Sequence, residues 1–257
     1  MKLFCALFVA LFFFVSPSLA EKTDWDGMFK RAHEAASVGK HREAIELFST
    51  ILKQSFMILA PEWHAILLVN RAGSFHKLRD YPSVISDASA HIELADREGG
   101  VSVHPTAYYL RGAAQMELGE IDAAISDFDK TISIDPKYVP AYADRAVAYE
   151  QKGGEAKAIE DFKSALAIYP EFVQANFNLG VLYVRKKMFR EAIKHLNSVV
   201  NLQPEFAPAL AARGQARQGI GLTKAAIRDF EKACELGFTP RRGDPISIEA
   251  WKENCAK

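Results

Sequence analysis

The chain has 257 residues, and its 32 lysines and arginines balance 32 aspartates and glutamates. With neither a basic stripe for phosphates nor an acidic tail, the composition counts against nucleic acid as the main ligand. The length alone suggests one or two globular domains, but an internal period overrides that prior.

In chain order, Lys2 precedes an uninterrupted apolar run from Leu3 to Val15. Ser16-Pro17-Ser18-Leu19-Ala20 follows, with small residues at Ser18 and Ala20. This is the pattern of a secretory signal peptide, residues 1–20, cleaved after Ala20. The run of 13 residues is too short to cross ~30 Å of hydrocarbon as a helix; an uncleaved anchor is the alternative. Cys5 sits too near the start to be a lipoprotein cysteine. Export is expected, to a periplasm first, with secretion or a secretory-pathway lumen as the alternative. Removal of the leader takes away Lys2 alone among charged residues, so 32 − 1 = 31 basic groups would face 32 acidic ones. No later segment is apolar enough to span a membrane.

Beyond the leader, residues recur at a step of 34: Pro136, Pro170, Pro204; Tyr108, Tyr142, Asn176; Gly112, Ala146, Gly180; Ala124, Ala158, Ala192; Phe128, Phe162, Leu196. Within one period, Tyr142, Ala146, Val147 and Tyr149 share a helical face, and Gly153-Gly154 ends that helix. A second helix follows from about Glu155 to Ile168, with Ala158, Ile159, Phe162, Ala165 and Leu166 apolar, and Pro170 stops it. So short a unit cannot close a core alone, so each must bury its face against the next.

The aromatic, small, aromatic, Ala, Phe, Ala and Pro positions resemble the tetratricopeptide repeat (TPR), a helix–turn–helix unit of about 34 residues. The resemblance implies an all-α, right-handed α-solenoid of about six units, at 25–58, 65–98, 105–138, 139–172, 173–206 and 207–240. Val84 and Ala88 depart from the pattern, standing where Ala and Phe are expected. Residues 241–257 read as a loop and a C-terminal capping helix, with Ile246, Ile248 and Trp251 covering the last repeat's apolar face. Cys255 at its end is a candidate disulfide partner for Cys234; two separate thiols are the alternative.

Comparing units shows a pairing. Arg71, Arg111, Arg145 and Arg213 hold the seventh place of their units, and Asp87, Asp127, Asp161 and Asp229 the twenty-third. Both places change together to Leu179 and His195 in the fifth unit, and Arg31 faces Leu47 in the first. These read as structural ion pairs across two helices rather than an anion-binding ladder.

The resemblance also places the first helix of each unit on a concave groove. That assigns Phe29, His33, Asn70, His76, Lys77, Tyr109, Leu110, Met116, Asp144, Val147, Glu150, Phe177, Asn178, Val181, Val184, Arg185, Gln215 and Gln218 to it. Tyr109 and Phe177 stand out as aromatic anchors. The carboxylate clamp of TPR co-chaperones is not reproduced: only Asn70 matches, while Phe29, His33, Thr106 and Leu110 fill the other places.

No enzyme motif appears. His33, His41, His64, His76, His91, His104 and His195 lack the spacing of metal ligands, and no phosphate-cradling loop or nucleophile elbow occurs. Arg242-Gly243-Asp244 reads as a plain turn. The expectation is a non-enzymatic, exported protein–protein interaction scaffold or adaptor without cofactor or metal, binding a peptide or helix of another protein in its groove. The alternatives are a structural subunit of an obligate complex or homo-oligomer, or an accessory subunit of an envelope enzyme or protease.

Overall fold

A computed structural model describes residues 24–55, 60–98 and 103–239. The expected signal peptide, the Arg242-Gly243-Asp244 turn, Cys255 and the expected capping helix lie outside those residues.

Among the described residues the chain forms twelve α-helices and no strand. They are α1 (Trp25–Ser37), α2 (His41–Ser55), α3 (Pro61–Lys77), α4 (Tyr81–Glu98), α5 (Pro105–Glu117) and α6 (Ile121–Ile134), then α7 (Val139–Gln151), α8 (Glu155–Ile168), α9 (Val173–Arg185), α10 (Phe189–Leu202), α11 (Ala207–Gly219) and α12 (Thr223–Glu235). Two compact units divide the chain, Met1–Lys130 and Thr131–Lys257, the boundary falling inside α6. In the first unit α1 packs on α2, α2 on α3, α3 on α4 and α5, and α4 on α5. In the second, each helix from α7 to α12 packs on the next, and α9 also meets α11. Within each unit the hairpins thus bury their faces against their neighbours, the solenoid arrangement expected from the period.

Local sequence explains the breaks. Prolines stand in the first turn of α3, α5, α7 and α11, where a missing N–H costs nothing. Proline at its N-terminus starts α3 at Pro61, ahead of Ala65, where the repeat register opens. The first helix of each hairpin ends on a residue in the left-handed region. Glycine fills that place at Gly39, Gly119, Gly153 and Gly221, whereas Arg79 and Lys187 fill it in the other two hairpins.

The core follows a small-against-large rule. A Cβ on Gly180 would lie 2.7 Å from Leu196 Cγ, and one on Gly214 2.8 Å from Phe230 Cε1. Phe48, Phe128, Phe162, Leu196 and Phe230 are the fully buried side chains at that place of the second helix. The departure at Val84 and Ala88 keeps the rule by inverting it: both are 0% exposed, the bulk having moved one turn along α4.

Candidate partner-binding site

The register of arginines is committed to the scaffold. Arg71 donates from Nε and Nη2 to Asp87 at 2.7 Å each. Arg111 meets Asp127 the same way at 2.7 and 2.8 Å, and Arg145 meets Asp161 at 2.8 and 2.6 Å. Arg213 grips Asp229 at 3.0 and 2.7 Å. The remaining Nη1 reaches back to the preceding hairpin: Arg71 to Ser49 Oγ (2.9 Å), Arg111 to Ser89 Oγ (3.1 Å) and Arg213 to Asn197 Oδ1 (3.0 Å). The guanidinium fork therefore ties the two helices of its own hairpin and pins the hairpin before it. The bond to Asp127 raises the Arg111 pKa, against the desolvation that burial imposes.

Where the fifth unit lacks that pair, Leu179 is fully buried and another bond takes over. His195 Nδ1 lies 3.0 Å from Asn176 Oδ1, and Asn176 Nδ2 donates to the carbonyls of Pro170 (2.8 Å) and Phe172 (3.3 Å). Arg31, with no acidic partner among the described residues, is exposed and donates to the Gly27 carbonyl.

An aromatic cleft of about 530 Å³ opens in the second unit, lined by Tyr169, Glu171, Phe172, Val173, Gln174, Phe177 and Phe206. Phe177 comes from the first turns of α9. The other aromatics come from the connections preceding α9 and α11. Phe177 meets Phe206 edge-on at 5.0 Å, Tyr169 lies 6.2 Å from Phe172, and Tyr169 is 50% exposed. At the cleft wall, the Gln174 side-chain amide is fixed by donation from its Nε2 to Asp144 Oδ1 at 3.0 Å. Farther along α9, Arg185 pairs with Glu150 of α7. Burial pushes the Glu150 carboxyl up, and Arg185 opposes that shift. Asn178 is half-buried.

The structure sorts the remaining expected groove residues. Phe29 is half-buried, with ring contacts to His33 (4.5 Å), Trp63 (6.0 Å) and Phe48 (6.1 Å). Asn70 donates to the Ile66 carbonyl of its own helix at 2.8 Å. Tyr109 is half-buried 6.0 Å from Phe128, Met116 is half-buried, and Lys77 is exposed. Val184 and Leu110 are buried, at 4% and 7% exposure, so they belong to the core instead of the groove. Helix geometry explains this: both lie on the flank of the first helix turned toward a neighbouring hairpin. Cys234 is half-buried on α12 and disulfide-bonded; the expected partner, Cys255, lies outside the described residues.

Sequence reasoning found Phe177 but missed Tyr169, Phe172 and Phe206. The signal was present as an aromatic two residues after each connecting proline, in Pro136-Lys137-Tyr138, Pro170-Glu171-Phe172 and Pro204-Glu205-Phe206. Among the described residues no three His, Cys, Asp or Glu side chains gather as a metal would require. No helix among them is long and apolar enough to cross a membrane.

Stacked helix hairpins tied by a repeating guanidinium fork, with open aromatic surface on one set of connections, define a repeat scaffold. The tetratricopeptide repeat family matches at residues 105–138 and again at 155–216. Those two stretches carry tetratricopeptide repeats, and the stacked helix pairs of the described residues have the fold of such repeats; proteins built from them are generally non-enzymatic scaffolds. RNA polymerase II-associated protein 3 of Xenopus laevis is 30% identical over 118 residues, a match covering 46% of this chain and 15% of that protein. The chain thus spans a small part of the length of that curated relative. A tetratricopeptide repeat protein from Parabacteroides merdae, 17% identical, gives a TM-score of 0.64 over 90% of this chain and 89% of its own. YrrB, described as a TPR protein with an unusual peptide-binding site, is 17% identical with a TM-score of 0.58, covering 75% of this chain and 93% of YrrB. At such identities the structural likeness speaks for the fold alone.

Proposed function

We propose that this chain is a non-enzymatic adaptor that binds a peptide or helix of a partner protein in its groove, anchored at the start of α9 and the connections beside it, and that it works after export. The observation carrying the binding role is the aromatic cleft at Tyr169, Phe172, Phe177 and Phe206. Exposed aromatic surface in a concave setting favours an apolar side chain of a ligand, and Asp144, Gln174 and Asn178 offer polar groups nearby. A random peptide library displayed on phage, selected against the full chain, tests it. Tyr169→Ala/Phe177→Ala is expected to weaken the selected peptides by about tenfold or more, as the loss of buried aromatic anchors does. Peptides that bind the double variant as well as the parent overturn the assignment.

Export rests on the sequence: Lys2, the apolar run Leu3–Val15, and the small residues Ser18 and Ala20. The chain recovered from the envelope or secretory fraction is expected to have the mass of a product starting at Glu21. A mass that still includes Met1–Ala20 overturns cleavage.

A further inference from the structure

The three turns inside the hairpins of the second unit join α7 to α8, α9 to α10 and α11 to α12, and they lie side by side. Lys186 of the middle turn reaches Glu155 beside the first at 2.7 Å, and Phe189 beside the middle turn packs against Gly219 beside the last. Apolar side chains stand out from this edge: Met188 is 38% exposed, Ile220 38% and Leu222 51%. Around them Lys187, Arg190 and Lys224 are exposed and enter no ion pair among the described residues. The other charges here include Lys152 and Glu191, both exposed; Glu155, held by Lys186; Arg185, paired with Glu150; and Lys157, seated over the Tyr149 ring. The connections leading into α7, α9 and α11, on the other edge, carry Asp135, Glu171 and Glu205 against Lys137, so acidic residues outnumber basic ones there.

Lys187 adds an independent sign. Its φ is 58°, in the left-handed region, where the flanking turns use Gly153 and Gly221. A side chain there strains the backbone, and glycine would relieve it. A cation thus occupies the centre of this edge in a conformation that disfavours it. Within the first unit, Arg79 likewise holds φ at 59° beside Leu78, 42% exposed.

We propose that this edge of the second unit docks on an anionic phospholipid surface. Met188, Ile220 and Leu222 are exposed apolar side chains carried singly on two neighbouring turns, interspersed with the cations. A bilayer interface accepts isolated apolar side chains among its headgroups, while Lys187, Arg190 and Lys224 meet lipid phosphates. An acidic polypeptide is the competing occupant.

Hydrogen exchange of the full chain, read at residues 186–190 and 220–224, tests this without depending on how other segments bind. The probes are vesicles of phosphatidylcholine alone, vesicles containing phosphatidylglycerol, and polyglutamate. Slowed exchange at both turns is expected on phosphatidylglycerol vesicles only, fading as salt screens the charges. Lys187→Glu/Arg190→Glu/Lys224→Glu should reduce the bound fraction at these turns by about tenfold or more. Lys187→Gly should weaken binding while leaving the fold at least as stable, which a purely structural lysine would not do. No protection on anionic vesicles, equal protection on neutral ones, protection by polyglutamate alone, or an unaffected triple variant would each overturn the proposal.

Discussion

Asp229 accepts from Arg213 and from Arg217 at 2.7 Å each, and its side chain is only 5% exposed. Burial lowers Arg217 despite this partner. Asp229→Ala strands two partly buried guanidinium groups, so it should cost about 3 kcal/mol, far more than an exposed pair. Glu231→Ala, exposed on the same helix, should stay within about 0.5 kcal/mol; urea denaturation of both variants checks the contrast. His91 shows a second residue-scale effect. Its Nδ1 lies 2.9 Å from the Ala65 carbonyl, which can only accept, and the His104 N–H donates to its Nε2 at 3.1 Å. The ring is therefore neutral with the proton on Nδ1, and protonating Nε2 would break the bond to His104. Burial lowers both His91 and His195. Because the unfolded rings take up protons first, this stability is complete above about pH 6.5 and falls as pH drops below it. Each ring contributes at most about 1.4 kcal/mol per pH unit in that window. His91→Gln/His195→Gln should flatten the decline in denaturation midpoint between neutral and mildly acidic pH; an unchanged slope would refute the linkage.

At the scale of the element, the close approach of α9 to α10 depends on Gly180, where even a Cβ would meet Leu196 at 2.7 Å. Gly180→Val forces the helices apart and should destabilise by about 1–3 kcal/mol. Adding Leu196→Ala should return part of that loss, a coupling that a double-mutant cycle measures. This small-against-large exchange also shows what could be read from the chain beforehand. The step of 34 residues marked the helix pairs, their order and the Arg–Asp places, because those features repeat and each copy reports on the others. Val84 with Ala88 looked like a weak match, since a position-by-position reading cannot see two volumes trading places. The cleft was only partly legible. Phe177 sat at a groove position, whereas Tyr169, Phe172 and Phe206 come from connections, where aromatic residues look like hydrophobic staples until neighbouring turns bring them together. Val184 and Leu110 went the other way, because a groove register taken from one helix does not know how far the next hairpin wraps over its flank.

For the molecule as a whole, cohesion passes from hairpin to hairpin. In the second unit α7–α8 meets α9–α10, and α9–α10 meets α11–α12. Among the described residues of this unit, α7–α8 and α11–α12 share no comparable packing, so stability should be a chain of local terms. Phe230, 1% exposed, fills the last described hairpin against Gly214. Phe230→Ala should cost about 3–5 kcal/mol of local packing. In a globular core that loss would lower protection everywhere, since opening is shared. Here it should fall on α11 and α12, reach α10 more weakly through the Arg213–Asn197 bond, and leave α7 and α8 close to the parent. Native-state hydrogen exchange resolves these helices separately. A graded loss from α12 back to α7 supports nearest-neighbour cohesion, whereas an equal loss across α7 to α12 would mean that they open as one cooperative block.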